Sequence, residues 1–115
     1  MKLVQDKITS KELREMSPKM FGDLVKAVVD IEQEIMVVDA EMHADQEKFL
    51  LEEHESQQGN LWGINIHPNA TSDDEFIEFD SMINIRPSWG NRSRGVDDPK
   101  VQERIRFVVN KLVQK

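Results

Sequence analysis

Apolar residues recur at every second position along several segments of the chain, a period typical of β-strands. The first such segment places Val25, Ala27, Val29 and Ile31 on one face. The next is apolar on both faces, which is typical of a central strand. Its two faces carry Met36, Val38, Ala40 and Met42 on one side, and Ile35 and Val37 on the other. The polar Glu32 and Gln33 between the segments predict a hairpin turn, without the favoured Asn-Gly or Asp-Gly pair.

Three further segments complete the predicted strands. Residues 61–67 place Trp62, Ile64 and Ile66 on one face, and Pro68 ends them. Residues 75–86 show the longest alternation in the chain and therefore predict its clearest strand. One face of that strand would carry Ile77, Phe79, Ser81, Ile83 and Ile85, and the other Phe76, Glu78, Asp80, Met82, Asn84 and Arg86. Residues 2–8 predict a short edge strand.

Capping residues predict three helices. Thr9 and Glu12 form a capping box, flanked by Ile8 and Leu13 at the hydrophobic-staple positions, and Pro18 and Gly22 limit the helix that follows. Asp45 is the predicted N-cap of a second helix that runs to about residue 55. Asp98 followed by Pro99 begins the third. The apolar stripe of this last helix contains Val101, Ile105, Val108 and Leu112.

The predicted order of elements is (β)-α-β-β-α-β-β-α. This order indicates an α+β fold, with a single antiparallel sheet of four to five strands, covered on one face by about three helices. The chain of 115 residues shows no internal repeat and no linker, so we expect one domain over residues 1–115.

Composition narrows the class of protein. A hydrophobic content of 38% argues against wholesale disorder, and the lack of a run of 18 apolar residues argues against a membrane span. Without a recognisable signal peptide, we expect a cytoplasmic protein. The absence of cysteine excludes a disulfide scaffold, a cysteine zinc site and a thiol nucleophile.

The net charge of -7 hides a strong asymmetry along the chain. Residues 30–56 hold ten acids and one base, which gives -9, whereas residues 86–115 hold eight bases and three acids, which gives +5. The plainer interpretation is that solvated faces differ in sign by chance. The alternative is that the two regions meet, within one chain or across a dimer.

The loop after the longest predicted strand is the first candidate ligand site. It combines guanidinium donors, an indole, an amide and two glycines in ten residues: Arg86, Trp89, Gly90, Asn91, Arg92, Arg94 and Gly95. Guanidinium groups suit phosphate or carboxylate, and glycines let backbone N–H groups approach an anion. The structural alternative is that Arg86 pairs with a carboxylate of the acidic segment and that the rest is an ordered surface loop. Neither the Walker spacing nor GxGxxG is present.

His43 and Asp45 form the second candidate, where a strand gives way to a helix. A histidine and a carboxylate could move protons or bind a metal, and His67 ends another predicted strand. The alternative is that Asp45 is only an N-cap and His43 a partly buried polar residue. No compact metal motif is present, so neither a metal nor a cofactor is predicted.

Two strings carry a resemblance to a known family. Residues 61–66 read LWGINI, and residues 81–88 read SMINIRPS, followed by NRS at 91–93. With these strings the chain resembles a family of short, uncharacterised prokaryotic proteins, known as a domain of unknown function. The resemblance extends from about residue 21 to the last helix. It implies a stand-alone bacterial or archaeal protein and carries over no activity, cofactor or catalytic residue.

These observations lead to three functional hypotheses. The first is a small cytoplasmic binding or interaction protein whose Arg-rich loop binds an anion. The second is an enzyme acting on a phosphorylated or nucleotide-like substrate, with Arg86 and Arg92 holding the anion and His43 or Asp45 moving protons. The third, nucleic-acid contact through the basic C-terminal part, is disfavoured by the acidic net charge. The expected partner is a small anionic ligand or a protein, with a homodimer as an alternative.

Overall fold

The computed structural model of the protein describes residues 1–19 and 23–115. The elements are β1 (Lys2–Val4), β2 (Ile8–Thr9), α1 (Ser10–Met16), β3 (Val25–Asp30), β4 (Ile35–Val38), α2 (His43–Glu53), β5 (Leu61–Ile66), α3 (Asp73–Phe76), β6 (Ile77–Glu78), α4 (Pro99–Leu112) and β7 (Val113–Gln114). Gly22, which the sequence suggests as a limit of the first helix, lies outside the described residues. The predicted α+β class and the approximate element order are confirmed.

The main sheet has five antiparallel strands in the order β1-β4-β3-β5-β6. The central position predicted for β4 is confirmed, because it lies between β1 and β3 and is buried on both faces. β1 is an edge strand, as predicted. Helices α1 and α4 pack on one face of the sheet and α2 packs on the other, so the expectation that only one face is covered is wrong.

The two faces of the sheet form separate apolar clusters. The larger cluster includes the apolar stripe of α4 and the sheet residues Val25, Ala27, Val29, Met36, Val38, Trp62, Ile64 and Ile66. The smaller one contains Val28, Ile35, Val37, Leu50 and Leu61. The residues predicted to share a face of β3, β4 or β5 therefore lie in the same apolar cluster.

The capping box that predicted α1 is present. Thr9 Oγ1 accepts a hydrogen bond from the Glu12 amide at 3.1 Å, and Glu12 Oε1 accepts one from the Thr9 amide at 3.4 Å. Ile8 and Leu13 are both fully buried in the larger cluster, which is the hydrophobic staple. Helix α1 ends at Met16, and a 3₁₀ turn follows.

The turn between β3 and β4 is held by a buried carboxylate. Asp30 is 1% exposed, and its Oδ1 accepts hydrogen bonds from the amides of Glu32 and Gln33 at 2.9 and 3.0 Å. Ser56 Oγ donates to Asp30 Oδ2 at 2.7 Å. These bonds stabilise a hairpin that lacks a preferred dipeptide turn.

The prediction of one strand over residues 75–86 is wrong. Residues 73–76 form α3, β6 spans two residues, and 3₁₀ turns form at Met82–Asn84 and Pro87–Trp89. The Ser81 hydroxyl accepts from the Ile83 amide at 3.3 Å and so stabilises a turn in place of a ladder. Residues predicted to share a face also lie in different places, because Phe79 contacts the larger cluster and Ile83 contacts the smaller one.

The predicted start of the second helix is also wrong. Met42 is the N-cap of α2 and makes no side-chain capping bond, while Asp45 lies within the first turn. β4 ends at Val38, so Met42 is outside the strand and 57% exposed. The N-cap of α4 is Asp98, as predicted, and its side chain accepts from the Lys100 amide at 2.9 Å.

A second, two-stranded sheet was not predicted. β2 and β7 pair in parallel, with Ile8 opposite Val113 and Thr9 opposite Gln114. Two-residue strands give too short an alternation to be detected from sequence. Because β2 precedes α1 and β7 follows α4, the pairing holds the start of α1 next to the end of α4.

The acidic and basic segments meet within one chain. Glu34 accepts hydrogen bonds from Arg104 at 2.8 Å and from Lys111 at 2.6 Å, and Glu47 pairs with Arg86 at 3.3 Å. Side-chain bonds to the two basic residues lower the pKa of Glu34. The charge asymmetry therefore has an intramolecular explanation.

The outer edge of β5 is completed mainly by side chains. β6 pairs with β5 only at Asn65 and Ile66. Nearer the start of β5, the Asn84 amide replaces a strand: its Oδ1 accepts from the Gly63 amide at 2.8 Å, and its Nδ2 donates to the Gly63 carbonyl at 2.9 Å. Ser81 approaches so closely here that a Cβ on Gly63 would lie 2.5 Å from Ser81 Cβ.

Gly63→Ala is therefore expected to lower the free energy of unfolding by about 2 kcal/mol through overpacking. Urea denaturation followed by circular dichroism measures the change. Gly59→Ala is the matched control, since its Cβ would meet only Trp89, at 3.7 Å. Adding Ser81→Gly to Gly63→Ala should recover part of the loss. Equal stability of the Gly63 and Gly59 variants would contradict the packing described.

Candidate functional site

The loop predicted to bind a ligand is held by a dense internal network. Asn91 is 5% exposed, and its Nδ2 donates to the carbonyls of Asn84 at 2.7 Å and Gly95 at 2.9 Å. Its Oδ1 accepts from the Asp97 amide at 2.7 Å. The backbones of Asn91 and Arg86 form an antiparallel bridge. The Asn91 side chain is thus used in folding the loop.

Arg86 is also committed to internal contacts. It is 8% exposed, and its Nη2 donates to Glu47 Oε2 and to the Leu61 carbonyl. Its guanidinium lies 4.9 Å from the ring centroid of Trp62 and 5.7 Å from that of Trp89. Burial lowers the pKa of Arg86, and Glu47 opposes that shift. The pairing with a carboxylate of the acidic segment matches the structural alternative stated above.

The remaining loop residues differ in their surroundings. Trp89 is 58% exposed where it covers Arg86. Arg92 is exposed, and its backbone amide donates to Asp97 at 2.9 Å. Arg94 Nε donates to Asp80 Oδ1 at 2.7 Å.

His43 and Arg94 line one polar cleft of about 310 Å³. It lies between the start of α2 and the segment that follows β6. Its lining residues come from β3, α2, β5 and the loop: Lys26, Met42, His43, Ala44, Asn65, Asp80, Ser81, Met82, Ile83 and Arg94. We name this cavity the His43 cleft. Arg86, Trp89, Asn91, Arg92 and Asp45 do not line it.

The His43 ring is fixed by one hydrogen bond. Nε2 lies 2.7 Å from the Ile64 carbonyl oxygen, which can only accept, so Nε2 carries the proton of the neutral ring. Nδ1 is then an acceptor, and no donor to it is present among the described residues. Burial lowers the pKa of His43, and Lys26 and Arg94 lower it further, against the opposing effects of the Ile64 bond and Asp80.

Asn65 brings a second acceptor to the cleft lining. It is 7% exposed, and its Nδ2 donates to Glu78 Oε1 at 3.0 Å and to the Asp80 carbonyl at 3.5 Å. Its Oδ1 is buried and has no hydrogen-bond partner in the described part of the chain. An unpaired buried acceptor costs about 1–3 kcal/mol, which a donor from a bound molecule would offset.

The net charge of the cleft lining is opposite in sign to the net charge of the whole chain. Its lining has two cations, Lys26 and Arg94, and one carboxylate, Asp80. With His43 neutral, the lining is net positive in a chain whose net charge is -7. A positive cavity favours an anionic ligand.

A second, wider cavity of about 540 Å³ has the opposite character. Four carboxylates line it with His67, which pairs with Glu78 at 3.2 Å; the carboxylates are Asp23, Asp74, Glu75 and Glu78. Within residues 1–19 and 23–115, no group of three or more His, Asp or Glu side chains is arranged to hold a metal ion. Asp45 borders a third, shallow depression with Lys48 and Phe49.

Comparison with known families tests the resemblance carried by residues 61–66 and 81–93. The chain matches the family described as "Protein of unknown function (DUF5674)" over residues 2–112. It belongs to the DUF5674 family. No curated protein and no solved structure matches the chain. Each helix in the described part of this DUF5674 protein is too short or too polar to cross a membrane.

Lys26 is one cleft residue that the sequence analysis did not single out. It lies in β3 directly opposite Asn65 of β5, so the two side chains share a face of the sheet. Both are polar positions inside strands that are mainly apolar. The polar residue within each strand is visible in the DUF5674 sequence. The pairing register that places Lys26 opposite Asn65 cannot be read from the sequence.

Arg86→Ala should lower the free energy of unfolding by about 3 kcal/mol, because Glu47 would remain largely buried without its partner. Arg92→Ala removes an exposed arginine six residues away and should change stability by less than about 0.5 kcal/mol. Urea denaturation of both variants measures the difference. Equal losses would contradict the buried position of Arg86.

The lowered pKa of His43 predicts a pH-dependent stability. The unfolded chain binds the proton near the ordinary pKa of 6.5, while the folded protein binds it only at lower pH. The contribution of neutral His43 is therefore complete above 6.5 and is lost as pH falls from there through the folded pKa.

His43→Gln removes this titration and should reduce the dependence of stability on pH between about 7.5 and 5.5. The measurement is the difference in unfolding free energy between wild type and variant at the two pH values. A difference that does not change with pH would refute the assigned shift.

Proposed function

We propose that this DUF5674 protein is a small cytoplasmic binding protein whose His43 cleft holds a small anionic molecule. The observation that carries the proposal is the convergence of Lys26, His43, Asn65 and Arg94 on one cavity. These residues come from four separate parts of the chain, and their convergence is a property of the fold. Within the Arg-rich loop, the proposed contact with the anion is made by Arg94.

The size of the cleft supports a small ligand. Ligand sites in proteins commonly have volumes of about 300–1,000 Å³, and 310 Å³ lies at the lower limit. Exposed Met42 and Met82 also line the cleft, and methionine side chains adapt readily to an apolar group.

The position of Arg94 supports a charged contact. Its side chain is 56% exposed and is held at one end by the bond from Nε to Asp80. The terminal Nη groups form no hydrogen bond within the described residues. They can donate to a carboxylate or phosphate in the paired geometry that guanidinium groups favour.

Titration of ¹⁵N-labelled protein with inorganic phosphate and with propionate tests the proposal. Amide shifts should concentrate at Lys26, His43, Asn65 and Arg94. Arg94→Gln should weaken binding about tenfold or more, since it removes a charge-assisted hydrogen bond.

Arg92→Gln is the matched control, because it removes the same charge two positions away, outside the cleft. Its affinity should equal that of wild type. Equal weakening by both substitutions would indicate a general charge effect and would overturn the proposal. Saturable shifts confined to residues outside the cleft would do the same.

A second candidate, an enzyme acting on a small phosphorylated substrate, is favoured by one observation. His43 and Arg94 line the same cleft, and the Nδ1 of neutral His43 carries no proton, as a general base requires. Prolonged incubation of the protein with glycerol 3-phosphate, monitored by ³¹P NMR, tests this candidate. Turnover lost in His43→Gln would support it, and an unchanged spectrum with bound ester would count against it.

A further inference from the structure

Two side chains that line the His43 cleft have hydrogen-bond acceptors that receive no donor from residues 1–19 and 23–115. His43 Nδ1 must accept, because Nε2 uses the ring proton for the Ile64 carbonyl. Asn65 Oδ1 must also accept, because its amide nitrogen already donates to Glu78 and to the Asp80 carbonyl. An anion that carries only acceptor atoms would bind Arg94 and would leave both of these acceptors unpaired.

The positive charges near His43 favour one kind of hydrogen-bond donor on the ligand over another. Lys26 and Arg94 both act electrostatically on His43, and Asp80 is the carboxylate that opposes them. An ammonium group placed against Nδ1 would meet this excess of positive charge. A hydroxyl group donates a hydrogen bond without adding charge, so it fits the position better.

We infer that the ligand of the His43 cleft is a small hydroxylated anion, whose anionic group contacts Arg94 and whose hydroxyl donates to His43 Nδ1. The class includes short hydroxy acids and phosphate esters that keep a free hydroxyl. The inference rests on the proposed anion-binding function and adds the group by which the site selects among anions. His43 is then the residue that determines specificity, while Arg94 supplies attraction common to all anions.

Matched ligand pairs separate the two contributions. Lactate and propionate differ by one hydroxyl, and glycerol 3-phosphate and n-propyl phosphate differ by hydroxyls alone. In ¹⁵N titrations of wild type, the hydroxylated member of each pair should bind about three- to tenfold tighter, the effect of one net hydrogen bond. Alanine, which places an ammonium group where lactate has its hydroxyl, should bind more weakly than lactate.

Two variants of His43 test the assigned acceptor. His43→Phe and His43→Leu both remove the two ring nitrogens and leave no hydrogen-bond acceptor in the side chain, whereas a glutamine would keep an amide oxygen able to accept. Each should lower the affinity for lactate to that for propionate and leave the affinity for propionate within about twofold of wild type. The leucine variant preserves the test if the phenylalanine variant does not fold.

The possible failures are distinguishable. If propionate and propyl phosphate bind in the cleft and their hydroxylated partners bind no tighter, the hydroxyl inference is wrong and the proposed function stands. If discrimination persists in folded His43→Leu or His43→Phe, the acceptor is not Nδ1 and the inference is likewise overturned. If none of the anions shifts the cleft amides, the proposed function fails, and the inference fails with it.

Discussion

The outer edge of β5 is the constraint on which the rest of the molecule depends. Buried backbone N–H and carbonyl groups must be paired, and β6 is too short to pair with the whole of β5. The Asn84 amide bonds to both groups of Gly63, and Arg86 reaches the Leu61 carbonyl. The same Asn84 Nδ2 and the Ser81 amide donate to the Arg94 carbonyl at 3.0 and 2.9 Å. Completing the sheet edge therefore also positions Arg94 at the cleft.

Local patterns predicted the elements in which each face has one environment. One face of β3 and of β5 lies in the cluster that contains the apolar stripe of α4, while Val28 and Leu61 on their other face lie in the smaller cluster. The alternation over residues 75–86 had a different cause. Ile77 lies in the larger cluster, Ile83 packs on the smaller one and Ile85 is 37% exposed, so residues of one predicted face serve three environments. Periodicity alone does not distinguish a strand from successive turns that cross a sheet edge.

The candidate site could be predicted only in part for a related reason. The side-chain chemistry of His43 and Arg94 suggested ligand binding. The chemistry of Arg86 and Asn91 suggests it equally, but these two side chains make internal contacts. Exposure separates the two arginines, since Arg86 is 8% exposed and the Arg94 side chain is 56% exposed. His43 is as buried as Arg86 and is distinguished by lining the cleft. The contribution of Lys26 follows from its register with Asn65. Register and burial are long-range properties, which a reading of neighbouring residues does not contain.

The pairing of β2 with β7 has a consequence for biosynthesis. The two strands lie almost at opposite ends of this chain, so a ribosome must release nearly all of it before they can meet. Contacts between distant segments slow folding, because the intervening chain must be ordered first. Until then the buried stripe of α4 is missing from the larger cluster, and the apolar face of the sheet stays open to solvent. Apolar surface exposed in this state makes a nascent chain vulnerable to aggregation.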